Sequence, residues 1–121
     1  MALKANSSGF RGKIAENFAA NLLLSKGYKI IEKNFRSKFG EIDIIAVDGD
    51  TLIFVEVKAR WSNEFGNPEE AVTPQKLYKI RKTAEYFLLI HPALPIRQRI
   101  EVVALEMAED KIVSSRVIAV D

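Results

Sequence analysis

The sequence predicts helices layered on a sheet, either α+β or mixed α/β. Three observations carry that expectation. Two stretches, about 11–26 and 73–90, space their apolar residues at helical intervals. Five short apolar or alternating runs read as strands, giving the order α-β-β-β-α-β-β. The 121 residues, 48% of them hydrophobic, suffice for a single domain with a real core.

Composition narrows the chemistry. Without cysteine there is no disulfide framework and no thiolate metal site. A lone histidine, His91, excludes the usual multi-His zinc sites. No apolar run is long enough to span a bilayer, and residues 1–12 lack the apolar centre of a signal peptide, so a cytoplasmic protein with no membrane association is expected. The net charge of +2 is unevenly spread. Up to Lys38 there are eight Lys/Arg against two Glu, and beyond it ten basic residues against fourteen acidic ones. A basic front third suits a polyanion, or is simply a solvated surface.

Residues 1–10 are small and polar and are expected as a flexible N-terminal arm ahead of a single domain, 11–121. In the first helix Ile14, Ala15, Phe18, Ala19, Leu22 and Leu23 form the inward face, and Gly27 stops it in a left-handed conformation. Glu16 falls at the edge of that face. It is either a surface acid whose stem packs or a group reaching into a site at the helix–sheet junction. Strands are expected at 28–35, 41–47 and 51–59, the last two joined by a hairpin turn at Asp48-Gly49-Asp50. A polar loop from Trp61 to Val72 carries Trp61 and Phe65, with one helical turn expected at 68–72. Thr73 as cap and Pro74 at the first position open the second helix. Its inward residues are Leu77, Ile80, Ala84, Phe87 and Leu88, and His91-Pro92 ends it. Late strands follow at 98–106 and 112–120.

The stretch Gly40–Arg60 holds the chemical clue, because charge sits inside apolar strands. Asp43 lies between Ile42 and Ile44, and Glu56 and Lys58 flank Val57 after Leu52-Ile53-Phe54-Val55. Ionisable groups so placed are costly unless paired or bound to a metal. Strand alternation puts Leu52, Phe54, Glu56 and Lys58 on one face, and Glu41, Asp43, Ile45 and Val47 on one face of the preceding strand. A loop at Gly49-Asp50 would place Asp43 opposite Glu56, with Cβ atoms about 5 Å apart; a loop at Asp48-Gly49 would place it diagonally, up to about 8 Å away. Two carboxylates this close repel, and a hard divalent cation, Mg²⁺ or Mn²⁺, relieves the repulsion. Lys58 beside them supplies a fixed positive charge for a phosphate oxygen or an attacking water. The plainer alternative is an ion-paired cluster of Glu56 with Lys58 or Arg60.

Asp43 followed by Glu56-Val57-Lys58 resembles the motif of the PD-(D/E)xK nuclease superfamily, whose members share the restriction-endonuclease-like fold. The wider pattern resembles the YraN-like family of small bacterial proteins from about Gly9 to Val103. It comprises Gly12 and Glu16, Asn34-Phe35-Arg36, Gly40-Glu41-Ile42-Asp43-Ile44-Ile45-Ala46, Phe54 to Arg60, and Phe65 to Val72. That family is placed in the superfamily by likeness to archaeal Holliday-junction resolvases and the tRNA-endonuclease-like domain. The resemblance implies an α/β fold with an α-β-β-β-α-β core, a mixed sheet flanked by helices. It implies Asp43 and Glu56 as metal ligands, the Val57 carbonyl as a third, Lys58 as the catalytic lysine and Glu16 as the helix-borne acid. Gln75 or Lys76 would match an additional polar residue. Ile42 stands where the motif's name has proline, and Glu101 where the family is expected to carry Asp.

Lys76, Lys79 and Lys82 share a stripe of the second helix. With Arg36, Lys38 and Arg60 they would contact phosphates without regard to sequence. Trp61 and Phe65 would stack on bases of a single strand or be core or lid residues. The expected function is metal-dependent hydrolysis of phosphodiester bonds in DNA, favoured over RNA, on a branched or structured substrate. The competing readings are a non-catalytic nucleic-acid-binding module on the nuclease fold and a structural protein with a buried ion-pair cluster. Cleavage of a four-way junction would call for a homodimer presenting two sites.

Overall fold

Branched apolar runs at 42–46 and 52–57, too hydrophobic to face water on either side, form the middle of the sheet. The computed structural model describes residues 2–61, 72–94, 97–109 and 111–120, with side chains from Gly12 onward except that of Trp61. The chain runs α1 (Ala2–Ser25), β1 (Lys29–Ser37), β2 (Gly40–Asp48), β3 (Thr51–Trp61), α2 (Pro74–Ile90), β4 (Arg97–Ala108) and β5 (Lys111–Ala119). The five strands make one sheet in sequence order. β3 and β4 are parallel, joined by the α2 crossover, and the other neighbours are antiparallel. This is a mixed α/β domain with the α-β-β-β-α-β order of the restriction-endonuclease-like core. No helix among the described residues is long and apolar enough to cross a membrane.

Helices cover both faces. α1 lies over β3 and β1, where Ala15, Ala19, Ala20 and Leu23 pack on Ile44, Ala46, Ile53, Val55, Val103 and Leu105. Alanines at helical spacing let α1 approach closely. Phe18, expected inward, is 37% exposed at the flank of that contact line. The backbone of residues 2–10, expected as a flexible arm, continues α1. Once a helix is anchored by packing, each further turn adds hydrogen bonds without a new nucleation cost. α2 lies over β2 and β1 and buries Ile80, Thr83, Ala84 and Phe87 against Phe35, Ile42, Ile45, Leu52, Phe54 and Ile100. The Phe87 ring meets Phe35 edge-on, with centroids 4.9 Å apart.

The punctuation follows the local signals. Gly27 has φ +92°, and the Tyr28 N–H reaches the Leu23 carbonyl across it at 3.0 Å. The Thr73 hydroxyl accepts from the Lys76 N–H at 3.1 Å, with Pro74 at the first helical position. The expected turn at 68–72, and Phe65, lie outside the described residues, as does the side chain of Trp61.

The β2–β3 hairpin pairs Asp48 with Thr51, so its loop is Gly49-Asp50. Gly49 has φ +61° and Asp50 does not have a positive φ, the pattern of a type II′ turn. A side chain at Gly49 is strained by that dihedral although nothing lies within 4 Å of its added Cβ. Gly49→Ala is therefore expected to lower the unfolding free energy by about 1–2 kcal/mol, read as a fall in the urea midpoint with an unchanged m value.

Candidate functional site

The site grows from the point where β2 leaves β3. β2 pairs with β3 from Asp48↔Thr51 only as far as Ile44↔Val55, but stays with β1 to Ser37↔Gly40. Beyond Ile44 the two central strands part. At the fork Asp43 fills the gap: its Oδ2 accepts the Val57 N–H at 2.8 Å. A side chain thus takes the hydrogen bond that a continued ladder would have given to backbone.

The fork also breaks strand alternation. Ile44 and Ala46 pack on the α1 side while Ile45 packs on the α2 side, but Ile42 joins the α2 side as well. Regular alternation would put Ile42 with Ile44. The expectation that Glu41, Asp43, Ile45 and Val47 share one face is corrected here: alternation slips at Asp43, which reaches across the gap between strands. Opposite it on β1, between the pairs Lys33↔Ile44 and Phe35↔Ile42, Asn34 adopts φ +54°. Asparagine tolerates this left-handed conformation better than most residues. Its Nδ2 donates to Glu16 Oε1 at 2.9 Å, which fixes the α1 acid at the fork.

Glu56 arrives from the other side. It is 6% exposed, and its Oε2 stands 2.5 Å from Lys76 Nζ at the start of α2. Leu52 and Phe54, four and two residues before it, pack on the α2 side, which explains why its partner comes from that helix. β3 pairs with β4 in unbroken register from Thr51 to Trp61, so Lys58 follows Glu56 on the same face. Lys58 is half-buried, with no ion-pair partner among the described residues.

The electrostatics follow from this crowding. Burial is the largest influence on Asp43 and, with the Glu56 charge next, pushes its carboxyl up to about 7; the Val57 N–H pulls down, and Glu41 and Glu16 add smaller upward pushes. The fork therefore gathers three acids around the Asp43 carboxyl. Among the described residues no group of three or more acids or histidines is spaced to hold a metal ion as it stands. The donor chemistry nevertheless fits a hard divalent cation. Asp43 Oδ1 and Glu56 Oε1 take no part in the bonds above, and the mutual repulsion is what such a cation relieves.

The remaining expected residues are spread around the fork. Gly40, Glu41, Thr73, Gln75, Lys76, Lys79 and Ile80 line a cleft of about 320 Å³ between the start of β2 and the start of α2. Lys76, Lys79 and Lys82 do not act as one outward stripe, because Lys76 is turned in to Glu56 and Lys82 stands 3.6 Å from Glu85. Arg36 faces Glu41 at 3.7 Å, Lys38 is at the β1–β2 turn, and Arg60 faces Glu106 of β4 at 4.0 Å. Sequence reasoning missed the positioning role of Asn34. Its signal was a strand-averse residue in the interior of a strand, between Lys33 and Phe35.

Comparison with known proteins bears on this geometry. Residues 15–105 match the model of "Uncharacterised protein family UPF0102". A UPF0102 protein of Thermodesulfovibrio yellowstonii is 49% identical over 87 residues, covering 71% of this chain and 78% of its own. One from Syntrophus aciditrophicus is 46% identical over 96 residues, covering 79% and 76%. One from Syntrophomonas wolfei is 41% identical over 100 residues, covering 83% and 87%.

Two predictions follow from the charges. The Asp43 carboxyl titrates near 7 in the folded protein against 3.8 for an ordinary one. Folding therefore favours its neutral form. This favourable contribution is complete below about pH 4 and is lost as pH rises through 7, at most about 4 kcal/mol. Asp43→Asn keeps an oxygen for the Val57 N–H and removes the charge. It should raise stability by roughly 2 kcal/mol above pH 7 and change little near pH 4, as measured by urea unfolding across pH. Conversely, Lys76→Met strands the buried Glu56. With the lysine itself half-exposed, a loss of about 2 kcal/mol at pH 7 is expected, largely recovered in the double variant Lys76→Met/Glu56→Gln.

Proposed function

The chain belongs to the UPF0102, or YraN-like, family, and from that premise we propose that it is a Mg²⁺- or Mn²⁺-dependent nuclease that hydrolyses phosphodiester bonds in DNA. The observation that carries the proposal is the acid pair at the fork. Asp43 is held against Val57 with its carboxyl raised to about 7 by burial and by Glu56, and Lys58 follows Glu56 on the same face. A purely structural cluster has no need to press carboxylates together.

In this reading Asp43 and Glu56 would hold the cation, with the Val57 carbonyl as a third donor. The bound cation would supply positive charge to the phosphate oxygens and make an attacking water more acidic. Val57 N–H keeps Asp43 aimed across the fork. Asn34 holds Glu16 at its α1 side, where the acid orients or deprotonates the water. Lys58 Nζ, drawn from an ammonium with no ion-pair partner among the described residues, balances charge that builds on the phosphate. Water adds to phosphorus, the bond to one ester oxygen breaks, and the departing oxygen takes up a proton. Lys79 and Gln75 in the cleft, with Arg36, Lys38, Arg60 and Lys82 around it, contact neighbouring phosphates.

One observation favours a second reading. Lys76 already neutralises Glu56, so the pocket is stable with no cation in it. A nucleic-acid-binding module that no longer cuts would look the same.

The test is cleavage of linear, single-stranded, flapped and four-way DNA and of structured RNA with Mn²⁺, wild type against Lys58→Ala. Loss of roughly a hundred- to a thousand-fold in rate is expected for the variant. Cutting that survives Lys58→Ala would assign the activity elsewhere. Salt-sensitive binding without cutting on every substrate would favour the second reading. Calorimetric titration of Mn²⁺ decides the metal separately: binding below millimolar that Asp43→Asn abolishes supports it, and its absence removes it.

A further inference from the structure

Among the side chains that the proposed chemistry leaves unused are large rings in water. Phe39 is 39% exposed at the β1–β2 turn, and Tyr78 and Tyr86 are 59% and 43% exposed on α2. Single exposed rings are ordinary. These are not scattered. The β1–β2 turn lies against α2: the position of a Cβ on Gly40 is 3.6 Å from Lys79 Cβ, and the Ser37 and Thr83 hydroxyls are 3.0 Å apart. Phe39 and Tyr78 are thus next in sequence to Gly40 and Lys79, where the β1–β2 turn meets α2, and those two residues line the cleft with Glu41, Gln75 and Lys76. Tyr78, Lys82 and Tyr86 then follow at intervals of four along one side of α2, about 12 Å from first to last. Tyr86 is backed by Phe35, stacked at 6.0 Å, so its ring is held rather than free to turn.

Phe39 and Tyr78 each also carry an amine. Lys38 Nζ lies 5.3 Å from the Phe39 centroid, and Lys82 Nζ lies 5.7 Å from that of Tyr78. α2 as a whole bears Lys76, Lys79, Arg81 and Lys82 against the single acid Glu85. Rings paired with ammonium groups, on a helix of net positive charge, match the two halves of a nucleotide: a base to stack on and a phosphate to neutralise. Bases inside a duplex are already stacked and cannot use such rings.

Resting on the nucleic-acid reading above, we infer that Phe39, Tyr78 and Tyr86, with Lys38 and Lys82, form a stacking platform for a single-stranded segment of nucleic acid entering the fork. The substrate class of the proposed site is then one with an unpaired strand beside the scissile bond, rather than continuous duplex. The platform binds base faces, which every base possesses, so it has little sequence preference.

The experiment measures binding by fluorescence anisotropy in EDTA, so that no cutting intervenes, using labelled oligothymidylate and a blunt duplex of matched length. Wild type should prefer the single strand. Tyr78→Ala should weaken single-strand binding roughly ten-fold and leave duplex binding unchanged, while Tyr78→Phe retains wild-type affinity. Lys82→Ala should weaken both ligands and lower the salt dependence by about one phosphate contact. Tyr78 is largely exposed, so Tyr78→Ala should keep the wild-type unfolding midpoint. Phe39→Ala should reproduce its effect. Unchanged single-strand affinity in both Ala variants, or equal losses on strand and duplex, would overturn the platform while leaving the nucleic-acid reading in place. Failure of the wild type to bind either ligand would overturn both.

Discussion

The hydrogen bond from the Val57 N–H to the Asp43 carboxylate is where fold and chemistry meet. A central strand can end its pairing early only if the freed backbone donor finds another acceptor. Asp43 is that acceptor, so the parting of β2 from β3 and the placing of a carboxylate in the gap are one event. Everything else at the fork is a response to that charge. Asn34 turns left-handed and ties down Glu16, Glu56 draws Lys76 from α2, and the carboxyl of Asp43 is driven towards neutrality by its surroundings.

The opposite end of the same strands is held shut by a second buried polar group. Glu101, 5% exposed on β4, accepts from the Tyr28 hydroxyl at 3.0 and 3.1 Å and from Arg99 Nε at 2.7 Å. Arg99 also reaches Asp48 at 3.4 Å, beside the tight hairpin turn. Burial pushes the Tyr28 hydroxyl up, with Arg99 pulling it down and Glu101 pushing it further up. A buried carboxylate with this many donors is satisfied, whereas one left unpaired would be costly. The network ties the start of β1, the end of β2 and the start of β4 together. Strands pinned at one end and parted at the other give a rigid wedge, a suitable frame for groups whose spacing matters.

Much of this was legible in order along the chain. Gly27, Thr73-Pro74 and Asp48-Gly49-Asp50 are local signals that act through dihedral preference and hydrogen bonds within a few residues; the structure uses each, and of the two loops open at the hairpin it takes Gly49-Asp50. Asp43, Glu56 and Lys58 stood out because charge interrupts apolar strands. Lys76 and Asn34 did not stand out in their present roles. An ordinary helix lysine and a strand asparagine gain meaning only from the acids that the fold brings to them. Phe18 was misread as core because helical periodicity gives the apolar face but not where the sheet ends beneath it.

The sequence by itself determined the elements, their order, a tight hairpin turn within Asp48-Gly49-Asp50, and membership of a family whose fold is of the nuclease type. Those depend on periodicity, on turn chemistry and on a motif, all of which are short-range. Only the tertiary structure decided that β3 and β4 run parallel through α2, that alternation slips at Asp43, and that Lys76 rather than Lys58 is the immediate counter-charge of Glu56. Each of these is settled by contacts between residues distant in sequence. A period-two pattern cannot announce the position at which a strand abandons one neighbour for a side-chain hydrogen bond.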